Sequence, residues 1–534
     1  MATDVAPRSA PWPLRLTGIA LAAAFAFPGA YLIYRNFAED ADPGGLLFSS
    51  RTMEPLGRTL RLAVSVSLSA LVLGTLLAWL TTRTDLPFRR FWRIVLPIPL
   101  VFPTFIGAAA FIRTLAPGGL AADFLANVGV DDTIRLRGFF GAWLVLTLFT
   151  YPYVYLPVAA RLRQLPASLE ESARVLGDTT LQAFRRVVVP QASASMAAGT
   201  LLVFLYTISD FGAVQLMSYD TLTRAIETNR LSNQPVALAL SLILLVLAAV
   251  VVLGERAFSR RTPDTGTTRT TRTVTYPLGR WRWPATGFVA GAGLLGVGAP
   301  MIALLDWAAD GVLRSSRGGR ALTIDSDQVV ESTLNTVQVS VLAAIFAVAA
   351  VLPIAWLIAR HRSRTGAIAN AVVISTFALP GLLIALSMRF WTLQSDTAFD
   401  LLSDTMALLI FAYVVRFASL AMGVSVIAVR SVPTRLHDAA RTLGAGRRRR
   451  LLTVDLPIMA PGLLAGAGLV LLSVMKELPI SLLISPLGFS TLATRIFLSF
   501  EDSFNAQAGI MAVVLVVLSG VLTWALVLRR ADHL

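Results

Sequence analysis

The sequence predicts an all-α integral membrane protein, twelve transmembrane helices arranged as two parallel six-helix repeats. Three observations carry that prediction. Apolar residues make up 55% of the chain and charged residues 14%, well under the roughly 25% charged of soluble domains. Apolar runs of about 20 residues, enough to cross a bilayer, recur from end to end. Two connecting segments, "ESARVLGDTTLQAFRRVVVP" (171–190) and "DAARTLGAGRRRRLLTVDLP" (438–457), share one layout.

Uncharged runs lie at Leu16–Tyr34, Leu62–Thr82, Ile94–Ile112, Gly138–Ala160, Pro235–Gly254, Ala285–Leu305, Leu334–Ala359, Gly366–Met388 and Ala506–Leu528. Three further runs carry charge: Ala192–Met217 with Asp210, Met406–Val429 with Arg416, and Ile458–Ile484 with Lys476 and Glu477. The first run has no clear small-x-small cleavage site and other spans follow it, so it reads as a span and not a leader.

The net charge of +15 fits a nucleic-acid binder only if the basic residues share a surface. They do not. With the N-terminus placed inside, alternate loops hold 30 of the 46 Lys and Arg residues, the bias that orients spans with basic loops in the cytoplasm. Both termini are then expected in the cytoplasm, and no nucleic-acid partner. The absence of cysteine removes disulfides, thiolate metal sites and cysteine nucleophiles.

The two segments align without a gap: Gly177 with Gly444, Pro190 with Pro457, Pro166 with Pro433, and, in the next span, Asp210 with Glu477. Upstream the offset lengthens by ten residues, Ala78-Trp79-Leu80 matching Ala355-Trp356-Leu357 and Pro103 matching Pro380. The extra residues are expected in the outer loop 116–137. The halves are expected at 1–257 and 285–534, joined by a cytoplasmic linker, 258–284, with Trp281 and Trp283 at headgroup level.

In the first connecting segment, Ser168 and Glu171 have capping-box spacing. Leu169, Ala173 and Leu176 then fall on one helical face, and Gly177 suits the left-handed residue that ends a helix. A second short helix is expected over Thr179–Val188, before Pro190 opens the next span. The second copy keeps Ala440, Gly444 and Pro457, but has Asp438 for Glu171 and His437 for Glu170; its cap is expected at Thr434. A layout kept in both halves, where other loops differ, reads as an element that docks a partner.

No chemistry is evident on the chain itself. Its one lysine, Lys476, lies in a predicted span, so the G-x-x-x-x-G-K-[ST] phosphate loop is absent. "GAGLLG" (291–296) has dinucleotide-fingerprint spacing but lies in an uncharged span, where small residues serve close helix packing. His361, His437 and His533 are scattered, so no metal site or catalytic set is expected. Intramembrane charge is a functional-site hypothesis by default. Arg416 suits a structural ion pair, an anion site or a lock on a helix interface; Asp210, Arg416, Lys476 and Glu477 are the candidates for a translocation path or gate.

The pattern acidic-x-Ala, three residues, Gly, nine residues, apolar-x-apolar-Pro resembles the coupling motif of ATP-binding-cassette (ABC) importer permeases. On that resemblance Glu171, Ala173, Gly177 and Pro190, with Asp438, Ala440, Gly444 and Pro457, form ATPase-coupling loops at about 161–190 and 430–457. "YPYVYL" (151–156), "SDFG" (209–212), "YVVRF" (413–417) and "KELP" (476–479) are similar to the fused two-half permeases of ferric-iron importers. Thiamine permeases share the fused plan and a DFG-type segment, whereas "KELP" favours iron. The resemblance implies a type I ABC importer permease fold in the inner membrane of a prokaryote. It also implies two copies of a separate ATPase that binds ATP and Mg, an extracytoplasmic binding protein that delivers iron(III), and no cofactor on this chain. Thiamine, a polyamine or an organophosphonate are alternative cargoes. A gradient-driven secondary transporter, also built of six plus six spans, is the alternative of another class; it would not need matched docking loops.

Overall fold

The computed structural model describes residues 10–38, 43–115, 136–259, 274–313, 325–361, 363–502, 504–523 and 525. Most of the 116–137 loop, linker residues 260–273 and His533 lie outside these. Among the described residues regular structure is helical, apart from one isolated bridge between Thr84 and Tyr276. The first half contributes α1 (Trp12–Ala38), α2 (Ser50–Arg83), α3 (Arg89–Val95), α4 (Thr104–Leu115), α5 (Gly138–Thr150), α6 (Pro152–Gln164), α7 (Ala167–Val175), α8 (Thr180–Ala183), α9 (Val189–Ser209), α10 (Gly212–Leu216), α11 (Leu222–Asn229) and α12 (Gln234–Ser259). The second contributes α13 (Arg282–Gly293), α14 (Ala299–Leu313), α15 (Ser326–His361), α16 (Arg364–Thr376), α17 (Gly381–Gln394), α18 (Asp396–Leu402), α19 (Met406–Arg430), α20 (Thr434–Thr442), α21 (Arg447–Arg450), α22 (Leu456–Val474), α23 (Pro479–Ile484), α24 (Leu492–Glu501) and α25 (Asn505–Thr523).

Ten of the described helical segments are long and apolar enough to cross a membrane, and two bent pairs bring the number to as many as 12. The protein is therefore an all-α, multi-span membrane protein, as expected. Two expected spans are not straight rods. The run 94–112 bends by 98° between α3 and α4, and the run 366–388 by 102° between α16 and α17. Pro97, Pro99 and Pro103 crowd the first bend and Pro380 the second, where proline removes an N–H and collides with the preceding turn.

The chain folds into two compact units that cut across the sequence repeat. One comprises 1–41, 324–498 and 514–534; the other comprises 42–323 and 499–513. The first helix of each half thus belongs to the unit built mainly from the other half. In the first unit α1 packs on α15, α16 and α17: Ser387 donates to the Pro28 carbonyl at 2.7 Å, and Phe27 meets Trp391 edge-on at 5.1 Å. In the second unit α14 packs on α4, and Gly293 and Gly296 abut Trp92 and Pro99. Gly293 and Gly296 of "GAGLLG" therefore serve helix packing, whereas Gly291 faces open space.

Each unit has its own apolar core, and small residues set helix spacing in both. A Cβ on Gly199 would stand 2.8 Å from Val154 Cα, and one on the equivalent Gly466 3.3 Å from Ala421 Cα. Close approach of this kind is how helices associate where lipid weakens the hydrophobic drive. The repeat extends to single hydrogen bonds: Leu222 N–H donates to Thr59 Oγ1 and Leu492 N–H to Thr336 Oγ1, both at 2.8 Å.

Candidate functional site

The two matched loops fold alike. Each follows a proline in extended backbone, Pro166 or Pro433, and each helix ends on a left-handed glycine, Gly177 at φ 96° and Gly444 at φ 75°. Gly177 N–H donates to Arg174 O and Asp178 N–H to Ala173 O, each at 3.0 Å; Gly444 N–H donates to Arg441 O at 3.0 Å and Ala445 N–H to Ala440 O at 2.9 Å. This is the Schellman closure, which satisfies carbonyls left open at a helix end. The alanine of the Ala-x3-Gly pattern stands where the residue after glycine finds its backbone acceptor, a carbonyl that any residue would supply.

The helix starts differ from expectation. Both α7 and α20 have proline at the N-cap with no side-chain cap bond, so Ser168–Glu171 does not cap α7, and Thr434 is the first residue of α20 and not its N-cap. The reciprocal box lies one helix later: Thr179 N–H donates to Gln182 Oε1 at 2.8 Å, and Gln182 N–H to Thr179 Oγ1 at 3.3 Å. The expected apolar face also divides. Ala173 turns inward, whereas Leu176 is 87% exposed and its equivalent Leu443 86%. Glu171 and Asp438 are exposed. Each loop thus presents a leucine and an acid at a glycine-ended tip.

After the tips, both segments enter their spans through a π turn, Phe184–Val188 and Leu451–Asp455. Pro190 and Pro457 sit at the start of the following helices. A wider turn moves the carbonyl that each proline ring would strike, so the helix continues unbroken into α9 and α22.

Arg83, at the end of α2, pairs with Glu170 at 2.8 Å, with both side chains 1% exposed. Its Nη2 also donates to Leu165 O at 3.3 Å. Arg360 holds the equivalent place on α15 and donates to the equivalent carbonyl, Val432 O, at 2.6 Å. There the facing acid is Asp455, from the π turn. Sequence reading passed over these residues. The recurrence of Arg83 and Arg360 at the upstream offset was a usable signal; Glu170 gave none, because its counterpart is His437.

Asp210 and Glu477 stand at equivalent helix breaks, between α9 and α10 and between α22 and α23. Asp210 Oδ1 accepts from Ala213 N–H at 3.0 Å and Val214 N–H at 3.3 Å, capping α10. Its Oδ2 accepts from Thr104 Oγ1 at 2.5 Å. In the other half the position of Thr104 is taken by Gly381, and the longer Glu477 carboxylate fills the space a side chain there would need. Tyr413 is near enough to that carboxylate to feel its charge. Lys476 lies in the same break and is half-buried. Arg416 serves a different break: Nη1 donates to Phe377 O at 2.9 Å and to Leu379 O, where α16 turns into α17. A cation is favoured beside the open carbonyls of a helix C-terminus. Among the described residues no group of three His, Cys, Asp or Glu is placed to hold a metal ion.

Paired, exposed, glycine-ended loop helices and a duplicated span order fit the permease type that the motif suggested. Residues 70–263 and 351–529 match the family described as "Binding-protein-dependent transport system inner membrane component", and the chain belongs to that family. It is therefore a membrane component of an ABC importer, the subunit through which cargo crosses. The chain is 28% identical over 522 residues to the Fe(3+)-transport system permease protein FbpB 2 of Haemophilus influenzae, covering 96% of this chain and 98% of that protein. It is 29% identical to the inner membrane ABC transporter permease protein YdcU of Escherichia coli, over 38% of this chain and 71% of that one. It is 31% identical to the sulfate transport system permease protein CysT of Salmonella typhimurium, over 29% of this chain and 55% of that one.

Proposed function

We propose that the chain carries both halves of the translocation path of an importer for iron(III). In this reading an extracytoplasmic binding protein hands over the cargo, and two copies of an ABC ATPase drive the cycle from the cytoplasmic side. The observation that carries the reading is the pair of equivalent helices, α7 and α20, whose Schellman-closed tips expose Leu176 and Leu443. An exposed large apolar side chain beside a fixed turn is what a docking groove takes up. Glu171, Ala173, Gly177 and Pro190, with Asp438, Ala440, Gly444 and Pro457, are the residues of that coupling. The loops then face the cytoplasm, as do both termini.

Iron(III) as cargo is supported by the likeness to an Fe(3+) permease over nearly both full lengths, whereas the sulfate relative matches only 29% of this chain. Asp210, Arg416, Lys476 and Glu477 belong to the helix breaks along the path, holding backbone that must stay irregular inside the membrane.

The test is uptake of radiolabelled iron(III) by cells with and without the chain, and with the double variant Gly177→Asp/Gly444→Asp. Uptake should require the chain, persist with an uncoupler while ATP is maintained, and fail in the double variant. Uptake indifferent to the chain while an ATPase still copurifies with it would overturn iron as cargo. Uptake unaffected by the double variant would overturn the docking role of the loops.

A further inference from the structure

The segment that joins the two halves does more than tether them. Residues 274–281 lie against the base of the first half, and Tyr276 is the point of attachment. Its N–H donates to Arg83 O at 2.7 Å, its carbonyl accepts from Asp85 N–H at 3.2 Å, and Leu278 N–H donates to Asp85 Oδ1 at 2.8 Å. The Tyr276 ring packs 6.3 Å from Trp79, which meets Phe184 of the π turn at 5.8 Å. The Tyr276 hydroxyl donates to Glu170 Oε2, while Glu170 Oε1 pairs with Arg83. Arg83 and Glu170 are each 1% exposed and Tyr276 is 7% exposed. One linker residue thus reaches the end of α2, the loop helix α7 and, through Trp79, the turn that opens α9.

Burial, followed by the Glu170 carboxylate, pushes the Tyr276 hydroxyl above its ordinary range, so it remains a proton donor at neutral pH. A carboxylate held by both a guanidinium and a phenol in a dry site has little freedom to turn. The second half is fastened otherwise: His437 replaces Glu170 in the repeat, and Arg360 faces Asp455 of the π turn.

We propose that Tyr276 is a positioning residue for energy coupling: acting through Glu170, it latches the first coupling helix to the end of α2. A displacement of α7 is then passed to α2, and also to α13, which begins six residues after Tyr276. The transmission role rests on the reading of α7 as an ATPase-docking helix; the latch itself does not. Because the latch comes from the linker, the first half's coupling helix depends on chain that belongs to neither repeat.

The test uses the full chain in lipid nanodiscs. Amide hydrogen exchange is followed in residues 167–176 and 434–442 for the parent, Tyr276→Phe, Tyr276→Ala and Glu170→Gln. Loss of the hydroxyl bond to a charged acceptor should speed exchange about tenfold in 167–176, with Tyr276→Ala at least as fast and 434–442 unchanged. Exchange that is unaltered in 167–176, or that rises equally in both segments, would overturn the latch. In vesicles carrying the complete transporter, Tyr276→Phe should keep the ATPase bound but raise the ATP consumed per iron(III) imported. A faster-exchanging helix with an unchanged ratio would overturn the transmission role. Failure of Gly177→Asp/Gly444→Asp to alter uptake would sink the docking reading alone, since exchange measures the latch without the ATPase.

Discussion

The two halves agree in backbone and differ in what fastens it. Both loop helices end on a left-handed glycine, both enter their spans through a π turn, and both close a threonine onto a leucine N–H at 2.8 Å. The locks around those shared shapes diverge. The first loop helix, α7, is held by a buried Arg83–Glu170 pair, whereas Arg360 donates to a carbonyl, with Asp455 of the π turn acting on its charge. At the bends, Tyr151 donates to Leu96 O at 2.8 Å in one half, and Arg416 grips Phe377 O and Leu379 O in the other. The duplication keeps the backbone geometry. Which side chains secure that geometry is free to drift, provided each buried polar group finds a partner.

The largest effect should fall where the halves differ most. Arg83→Ala leaves the Glu170 carboxylate without its cation in a dry site, with only the Tyr276 hydroxyl against it, and should cost about 3–5 kcal/mol, the usual penalty for removing one member of a buried pair. Arg360→Ala removes a hydrogen bond from a half-buried guanidinium and a cation that interacts with Asp455, but among the described residues no ion pair as close as that of Arg83, and should cost roughly 1.5–3 kcal/mol. Thermal unfolding of the two variants in detergent, side by side, checks this. Equal losses would mean that the second half hides a lock as strong as the first.

A smaller effect should appear identically in both halves. Thr59 and Thr336 are each 1% exposed, and each accepts the N–H of a residue that opens a following helix. Thr59→Val or Thr336→Val keeps the shape and leaves that N–H without its acceptor, at about 1–3 kcal/mol. The two variants should match within measurement error. A clear difference would show that the backbone equivalence does not extend to energetics.

Much of this arrangement was legible in the sequence because the repeat places glycines and prolines where backbone geometry needs them. Gly177 and Gly444, Pro190 and Pro457, and the acids at 210 and 477 all recur at one offset. The spans were legible because lipid demands long apolar runs. What remained hidden has physical reasons. An apolar run does not reveal a bend of 98° or 102°, although the prolines in those runs pointed to one. Apolar helices of similar length carry no mark of their neighbour, so the membership of α1 in the second half's unit could not be read. The Arg83–Glu170–Tyr276 cluster spans almost 200 residues of sequence, and two of its members have no equivalent acid or phenol in the repeat.

The smallest effect concerns Asp210, and it separates two roles for the same carboxylate. As the cap of α10, Asp210 needs only an oxygen that accepts two N–H groups, and asparagine caps a helix as well as aspartate does. Asp210→Asn should then leave stability nearly unchanged, whereas Asp210→Ala should lose about 1 kcal/mol through the cap. If the negative charge also serves passage of a cation, transport by Asp210→Asn should fall although unfolding is unchanged. Glu477→Gln makes the matching comparison, because Glu477 stands at the equivalent break with the space opened by Gly381. Uptake retained in both amide variants would restrict these acids to holding the breaks, and the path would then owe its selectivity to other groups.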